Sequence, residues 1–403
     1  MRQSFYFLAL LSVCYAQKLI DLKTFRGGNQ QSPIDGTGTF AIYVSASADS
    51  PDLLKRVMLH SKNLESISMN DLKNHKLLGN SGELQPYAVT GPVYVTSDLT
   101  DDQMNRLTGF MFVSSAAQLK NKNFFVIDMS QSTRVALKTL DSSTVLFMNS
   151  NINSNKPDQS TMISSWDQTQ SSFAYLYEGI PTDSVETKNT QIFSNPIHTY
   201  NFDHFFSNVE KFSLNLGTFY LKTSNGGVNF NVQPGNVVVD GTTTTAFSTT
   251  GFYMKQMNQP DESISINTKR DTSFSGIVGA NIYGSVPSGG KVEVGQYDGA
   301  YHDSMSVPPQ PFINYWSSPH IGQTFKGSSS NTQAGEYFVQ YFVLQGAANT
   351  GTTQNSVRTS TARNNVPTAG PINPTSGHFE TTTRSSGAIE IFAPLLIIAA
   401  RLL

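Results

Sequence analysis

Histidine is the side chain best suited to proton transfer and metal ligation near neutral pH, and the chain carries seven. They are scattered. His198 and His204 stand six residues apart in an aromatic-rich stretch, 197–206, and His302 adjoins Asp303. A zinc site needs further ligands at short spacing, which neither pair has, so these read as surface or hydrogen-bonded histidines. The sequence holds no His-Glu-x-x-His, no paired-cysteine spacing and no Walker loop.

Serine hydrolysis needs an exposed serine on a strained turn, and Gly79-Asn80-Ser81-Gly82 is one residue short of Gly-x-Ser-x-Gly. It reads as a loop. Val237-Val238-Val239-Asp240-Gly241-Thr242 places an aspartate after a strand-like run, but acid proteolysis requires two carboxylates sharing a proton. The order here is Asp-Gly-Thr, and the sequence contains no Asp-Thr-Gly or Asp-Ser-Gly. Trp166, Tyr315, Trp316 and the cluster 202–206 could stack on sugar rings or a partner, although aromatic runs in β-proteins more often fill the core. No catalytic residue, metal ligand or cofactor is therefore expected, and the chain is not read as an enzyme.

What must position any site is a chain with distinctive ends. Arg2, the apolar run 5–13 and Cys14-Tyr15-Ala16 form an export signal, 1–16, cleaved after Ala16. At the other end, Thr381-Thr382-Thr383-Arg384 leads through Ser385-Ser386-Gly387 into a mostly apolar tail. That order suits a GPI-type signal, 387–403, with Ser385 as the lipidation site. As a permanent span the tail fares worse, because Glu390, Pro394 and Arg401 interrupt it. The only cysteine, Cys14, lies in the export signal, so the mature chain must rely on apolar burial alone. No Asn-x-Ser/Thr acceptor is usable, since Asn373-Pro374-Thr375 is blocked by its proline, so N-glycans are not expected. A net charge of −2 gives no electrostatic footprint for nucleic acid.

Within 350–386, 15 residues are Ser or Thr, and large apolar residues nearly vanish. Such a segment cannot bury enough surface to offset its backbone entropy, so 347–386 reads as a disordered Ser/Thr/Pro-rich stalk with O-glycans. The preceding chain has short β-branched and aromatic runs punctuated by Gly, Asn, Asp, Ser and Pro, which predicts an all-β fold with few helices. Expected strands include 40–44, 93–95, 124–127, 145–148, 173–177, 219–221, 237–239 and 337–344. Asn225-Gly226-Gly227 predicts a hairpin. Short helices are expected over 51–60 and after Thr100, where Gln103 completes a capping box. A soft internal repeat sets Val93-Tyr94-Val95 with Thr108-Gly109-Phe110 beside Val237-Val238-Val239 with Thr250-Gly251-Phe252, and Gly335-Glu336-Tyr337 reads as a further copy. Length divides this body into β units over 17–118, 119–260 and 261–346, leaving two or three sandwiches open.

Val292-Glu293-Val294-Gly295-Gln296-Tyr297-Asp298-Gly299 and Ala174-Tyr175-Leu176-Tyr177-Glu178-Gly179 resemble the strand-then-turn segments of CUB-like domains, above all those of secreted nematode CUB-like proteins. Glycine-led strands ending near Ser115, Met257 and Gln345 resemble their closing strands. The resemblance covers short patches. It implies antiparallel jelly-roll sandwiches used for binding, and an association with innate immune defence against bacteria. It departs from the family in lacking disulfides, and the calcium-binding acidic set is not matched in full, though Asp298 and Asp303 offer oxygens.

The expected protein is thus an extracellular recognition protein on the outer face of the plasma membrane, held by a lipid anchor or secreted, with a protein or glycan ligand. A structural coat or matrix protein and a secreted hydrolase with an unrecognised site are the alternatives.

Overall fold

Alternation decides the architecture: residues two apart in a strand share a face, so a strand with both sets apolar needs a core on each side. The computed structural model describes residues 17–34, 36, 38–62, 64–77, 82–152, 159–183, 191–199, 202–241, 243–245, 248–269, 274–298, 301–307, 310–316 and 324–348. These are overwhelmingly strands, with a few short helices, as expected. The export signal, Ala16, Ser81, Ser385 and the C-terminal signal lie outside the described residues, as does most of the stalk; strand Tyr337–Ala348 runs past its expected start at 347.

Three pairs of sheets succeed one another. In the first, a sheet ordered Lys18–Asp21, Leu107–Val113, Thr39–Ala48, Tyr87–Thr90 shares a core with one ordered Ser32–Ile34, Val93–Ser97, Val57–Ser61, Leu64–Ser68. The second pairs Gln191–Asn195, Phe173–Glu178, Thr218–Ser224, Ser142–Met148, Phe124–Asp128 with Thr133–Ala136, Val228–Pro234, Thr161–Gln168, Phe212–Leu214. The third pairs Asn208–Val209, Thr249–Lys255, Tyr337–Ala348, Phe274–Val286, Gln310–Trp316 with Thr243–Thr245, Ser263–Lys269, Thr324–Ser330, Lys291–Asp298, Tyr301–Val307. Pairing is antiparallel except at Phe124–Asp128 with Ser142–Met148 and at two short contacts of the third pair.

The near-continuous apolar runs of the sequence are the strands buried on both faces. Ile42 and Val44 enter the first core, while Ala41, Tyr43 and Phe112 turn to meet Phe124, Leu146, Met148 and Tyr220 of the second pair. Tyr337, Val339 and Tyr341 enter the third core, while Phe338 packs into the second. The layers are therefore joined by apolar contact as well as by chain, and each buried Phe or Leu contributes about 1.5–3 kcal/mol.

Several local expectations change. Asn225 and Gly226 take the positive φ of 58° and 124° foreseen, yet they do not close a hairpin. The strand before them lies in one sheet of the second pair and the strand after in the other, so the turn is an arch between layers. Residues 237–239 join no ladder and form an extended strap instead. The repeat loses its support there, because Val93–Ser97 is a paired strand and 237–239 is not. The helix expected over 51–60 stops at Pro51–Lys55 and gives way to strand Val57–Ser61, whose Val57 and Leu59 alternate into the core. Thr100 and Gln103 do form their capping box, and Ser115 with Gln118 forms another ahead of Ala116–Lys120.

Candidate binding cleft

The strap 236–240 crosses from the second sheet pair to the third and roofs a cleft of about 450 Å³. Two hydrogen bonds set its ends. Val237 N donates to Ser213 Oγ at 3.1 Å, and Ser265 N donates to the Asp240 carboxylate at 2.7 Å. Between these points Val238 is 74% exposed, while Val239 packs against the third core.

The floor and walls come from segments far apart in sequence. Ser160 and Asn215 belong to the second pair; Tyr253, Gln256 and Glu262 approach from the third. Gln256 donates to the Asn215 backbone carbonyl at 2.7 Å and accepts from Gln259 at 3.0 Å, so the turn between them is fixed by side chains. The Asn215 side-chain oxygen is buried without a hydrogen-bond partner, at a cost of about 1–3 kcal/mol. Burial pushes the Glu262 carboxyl upward, toward its protonated form, with Lys255 pulling the other way.

Behind this turn lies a second polar cluster. The wholly buried Lys255 ammonium donates to the carbonyls of Thr332, Gln333 and Gly335 at 2.6, 3.2 and 2.9 Å. Asp261 holds the same loop by accepting from Asn331 N, Thr332 N and Thr332 Oγ1 at 2.7–2.8 Å. Next to it the Glu336 carboxyl is pushed up to about 7 by burial and by the Glu178 carboxyl to which it is hydrogen-bonded.

The residues weighed for chemistry fall apart in space. His198 Nδ1 meets Asp203 at 2.8 Å on an exposed hairpin, and its register sets His204 opposite Ile197 rather than beside His198. His302 and Asp303 sit on strand Tyr301–Val307; the side chains of Asp298 and Asp303, on which the calcium reading rests, lie outside the described part. No cluster of three or more His, Cys, Asp or Glu fit for a metal occurs among the described residues. Trp166 is core, stacked on Phe230 at 5.1 Å. A contact the sequence did not signal is Ser66 Oγ to His60 Nδ1 at 2.6 Å, but the other nitrogen meets the Thr96 hydroxyl at 2.8 Å, not a carboxylate. It is a cross-strand row on a sheet face. Of the residues named from sequence, Asp240, the valines before it and Phe252 reach the cleft; Asn215, Gln256 and Glu262 carry no local pattern that could have marked them.

The described residues thus form three pairs of β-sheets with a cleft between the second and third. The chain belongs to the family of transmembrane glycoproteins, whose model matches residues 37–400. No helix among the described residues is long and apolar enough to cross a membrane. No curated protein matches the sequence. Among solved structures, the CUB1-EGF-CUB2 domains of rat MASP-1 align over 54% of this chain and 98% of that one, at 7% identity and a TM-score of 0.17. The Sulfolobus turreted icosahedral virus structure aligns over 82% and 89%, at 10% identity and a TM-score of 0.14. Scores this low carry no argument about fold or role.

Proposed function

We propose that this glycoprotein is a cell-surface recognition protein that binds an extracellular ligand in the cleft beneath strap 236–240. One observation carries the reading: a cleft of about 450 Å³ between the second and third sheet pairs, within the roughly 300–1,000 Å³ of ligand sites. Family membership supports display at a membrane surface. In this reading export follows cleavage after Ala16, Ser385 carries a lipid anchor on the outer leaflet, and the Ser/Thr-rich segment 347–386 is a spacer. With Asn373-Pro374-Thr375, blocked by its proline, as the one Asn-x-Ser/Thr triplet in the sequence, its glycans are O-linked. A role in innate defence against bacteria is the finer part of the proposal and rests on the CUB-like patches 174–179 and 292–299.

The test is binding of fluorescently labelled full-length protein to bacterial cells and to host extracellular material. The wild type should bind, and Val238→Trp, which adds bulk at an exposed rim position, should lose that binding while keeping its unfolding midpoint. Equal binding by both proteins would remove the cleft from the function. Release of the surface protein by a phosphatidylinositol-specific phospholipase is the expected signature of the anchor, and full retention would refute it.

A further inference from the structure

We propose that Gln17 is a modification site: once the chain is cut after Ala16, its α-amine closes onto its own side-chain amide and leaves a pyroglutamyl residue at the N-terminus. The proposal rests on the export part of the reading above, which makes Gln17 the first residue of the mature chain. The step balances within one residue. A bond forms between the α-nitrogen and Cδ, the bond from Cδ to Nε2 breaks, and Nε2 leaves as ammonia, taking one proton from the amine. No oxidant or co-reactant takes part, and the two groups stand at the spacing of a five-membered ring, so the attack is intramolecular.

The fold uses the part of this side chain that survives the step and not the part that leaves. Gln17 stands directly before strand Lys18–Asp21, which pairs with Leu107–Val113 from Lys18 opposite Val113, so the start of the chain is tied to a sheet. Its Oε1 accepts from Asp183 N at 3.3 Å, and cyclisation keeps that oxygen as the lactam carbonyl. Asp183 is itself fixed, since its carboxylate accepts from Ser115 Oγ at 3.0 Å, at the start of helix Ala116–Lys120. The Gln17 Nε2, by contrast, is buried with no hydrogen-bond partner among the described residues. A buried amide donor without an acceptor is unfavourable, so losing this atom as ammonia removes a penalty and breaks no hydrogen bond. Charge points the same way. Gln17 is only partly exposed, so an α-ammonium there would be partly desolvated, whereas the lactam is neutral. The folded site need not be reached: Asp183 is made 166 residues after Gln17, and the amide is open on the growing chain before the strand docks.

The experiment is mass spectrometry of the protein expressed from its full-length chain in eukaryotic cells and recovered from their surface or medium, read on the N-terminal peptide released by cleavage after Arg26. The expected peptide begins at residue 17, is lighter than its sequence by one ammonia and has no reactive α-amine. Gln17→Ala, which has no amide to close onto, should begin at the same residue with a free amine. A wild-type peptide that begins at Gln17 with its full mass overturns the proposal and leaves export intact. Loss of ammonia from the Gln17→Ala peptide also overturns it, by placing the reaction at another residue. A peptide that begins at Met1, or anywhere other than residue 17, overturns both this proposal and cleavage after Ala16.

Discussion

The side chain of Gln340, wholly buried in the middle of strand Tyr337–Ala348, completes the backbone hydrogen bonds of Ser194, 146 residues away. Its amide nitrogen donates to the Ser194 carbonyl at 2.7 Å, and its oxygen accepts from the Ser194 N–H at 3.0 Å. A single amide thus does for edge strand Gln191–Asn195 what a neighbouring strand would, and it stitches the second sheet pair to the third. A glutamine in the run Tyr337 to Leu344 looks like an interruption in sequence; in the fold it is a seam.

Gln340→Leu keeps the volume but leaves both backbone groups of Ser194 buried without partners. At about 1–3 kcal/mol for each unsatisfied group, the loss should be about 2–6 kcal/mol. Urea denaturation with unchanged m-value measures it. A midpoint equal to that of the wild type would show that the seam contributes nothing.

Lys255→Met removes the ammonium from the carbonyls of Thr332, Gln333 and Gly335. Three carbonyl acceptors then lose their donor, and a loss of about 1–3 kcal/mol is expected for each that stays buried and unsatisfied. Hydrogen exchange should rise first in loop 331–336. Protection there unchanged from the wild type would argue that water substitutes for the ammonium.

The pH dependence follows from Glu336. Its carboxyl is held up to about 7 in the folded protein, above the ordinary value of 4.5, by burial and by Glu178. In the interval between those values the folded state binds more protons than the unfolded state, so stability falls as pH rises. Stability should therefore be greater at pH 5 than at pH 8, with most of the change complete just above pH 7. Glu336→Gln should flatten that slope, as read from denaturation midpoints across the range; an unaltered slope would place its origin elsewhere.

Gly109 opens the strand segment Gly109-Phe110-Met111 with φ of 120°, and a Cβ there would meet the backbone of Ser45 and Ala46. Gly109→Ala should destabilise by about 2 kcal/mol or more, since neither the angle nor the neighbouring backbone can give. Thermal unfolding of the variant checks this. A shift of less than a degree would mean that the strands separate at no cost.

The sequence by itself determined the all-β class, the strands at 40–44, 145–148 and 337–344, the capping box at Thr100, and the positive φ at Asn225. These are decided within a few residues, by side-chain alternation and local backbone chemistry. It also excluded a disulfide within the chain, because Cys14 is its single cysteine. Only the tertiary structure decided that Asn225-Gly226 passes the chain between layers, that 237–239 becomes a strap, and that Asn215, Gln256 and Glu262 converge beneath it. Whether a strand pairs, and with which sheet, depends on partners up to a hundred residues away. The same run of valines is a core strand when a ladder reaches it and the roof of a cleft when none does.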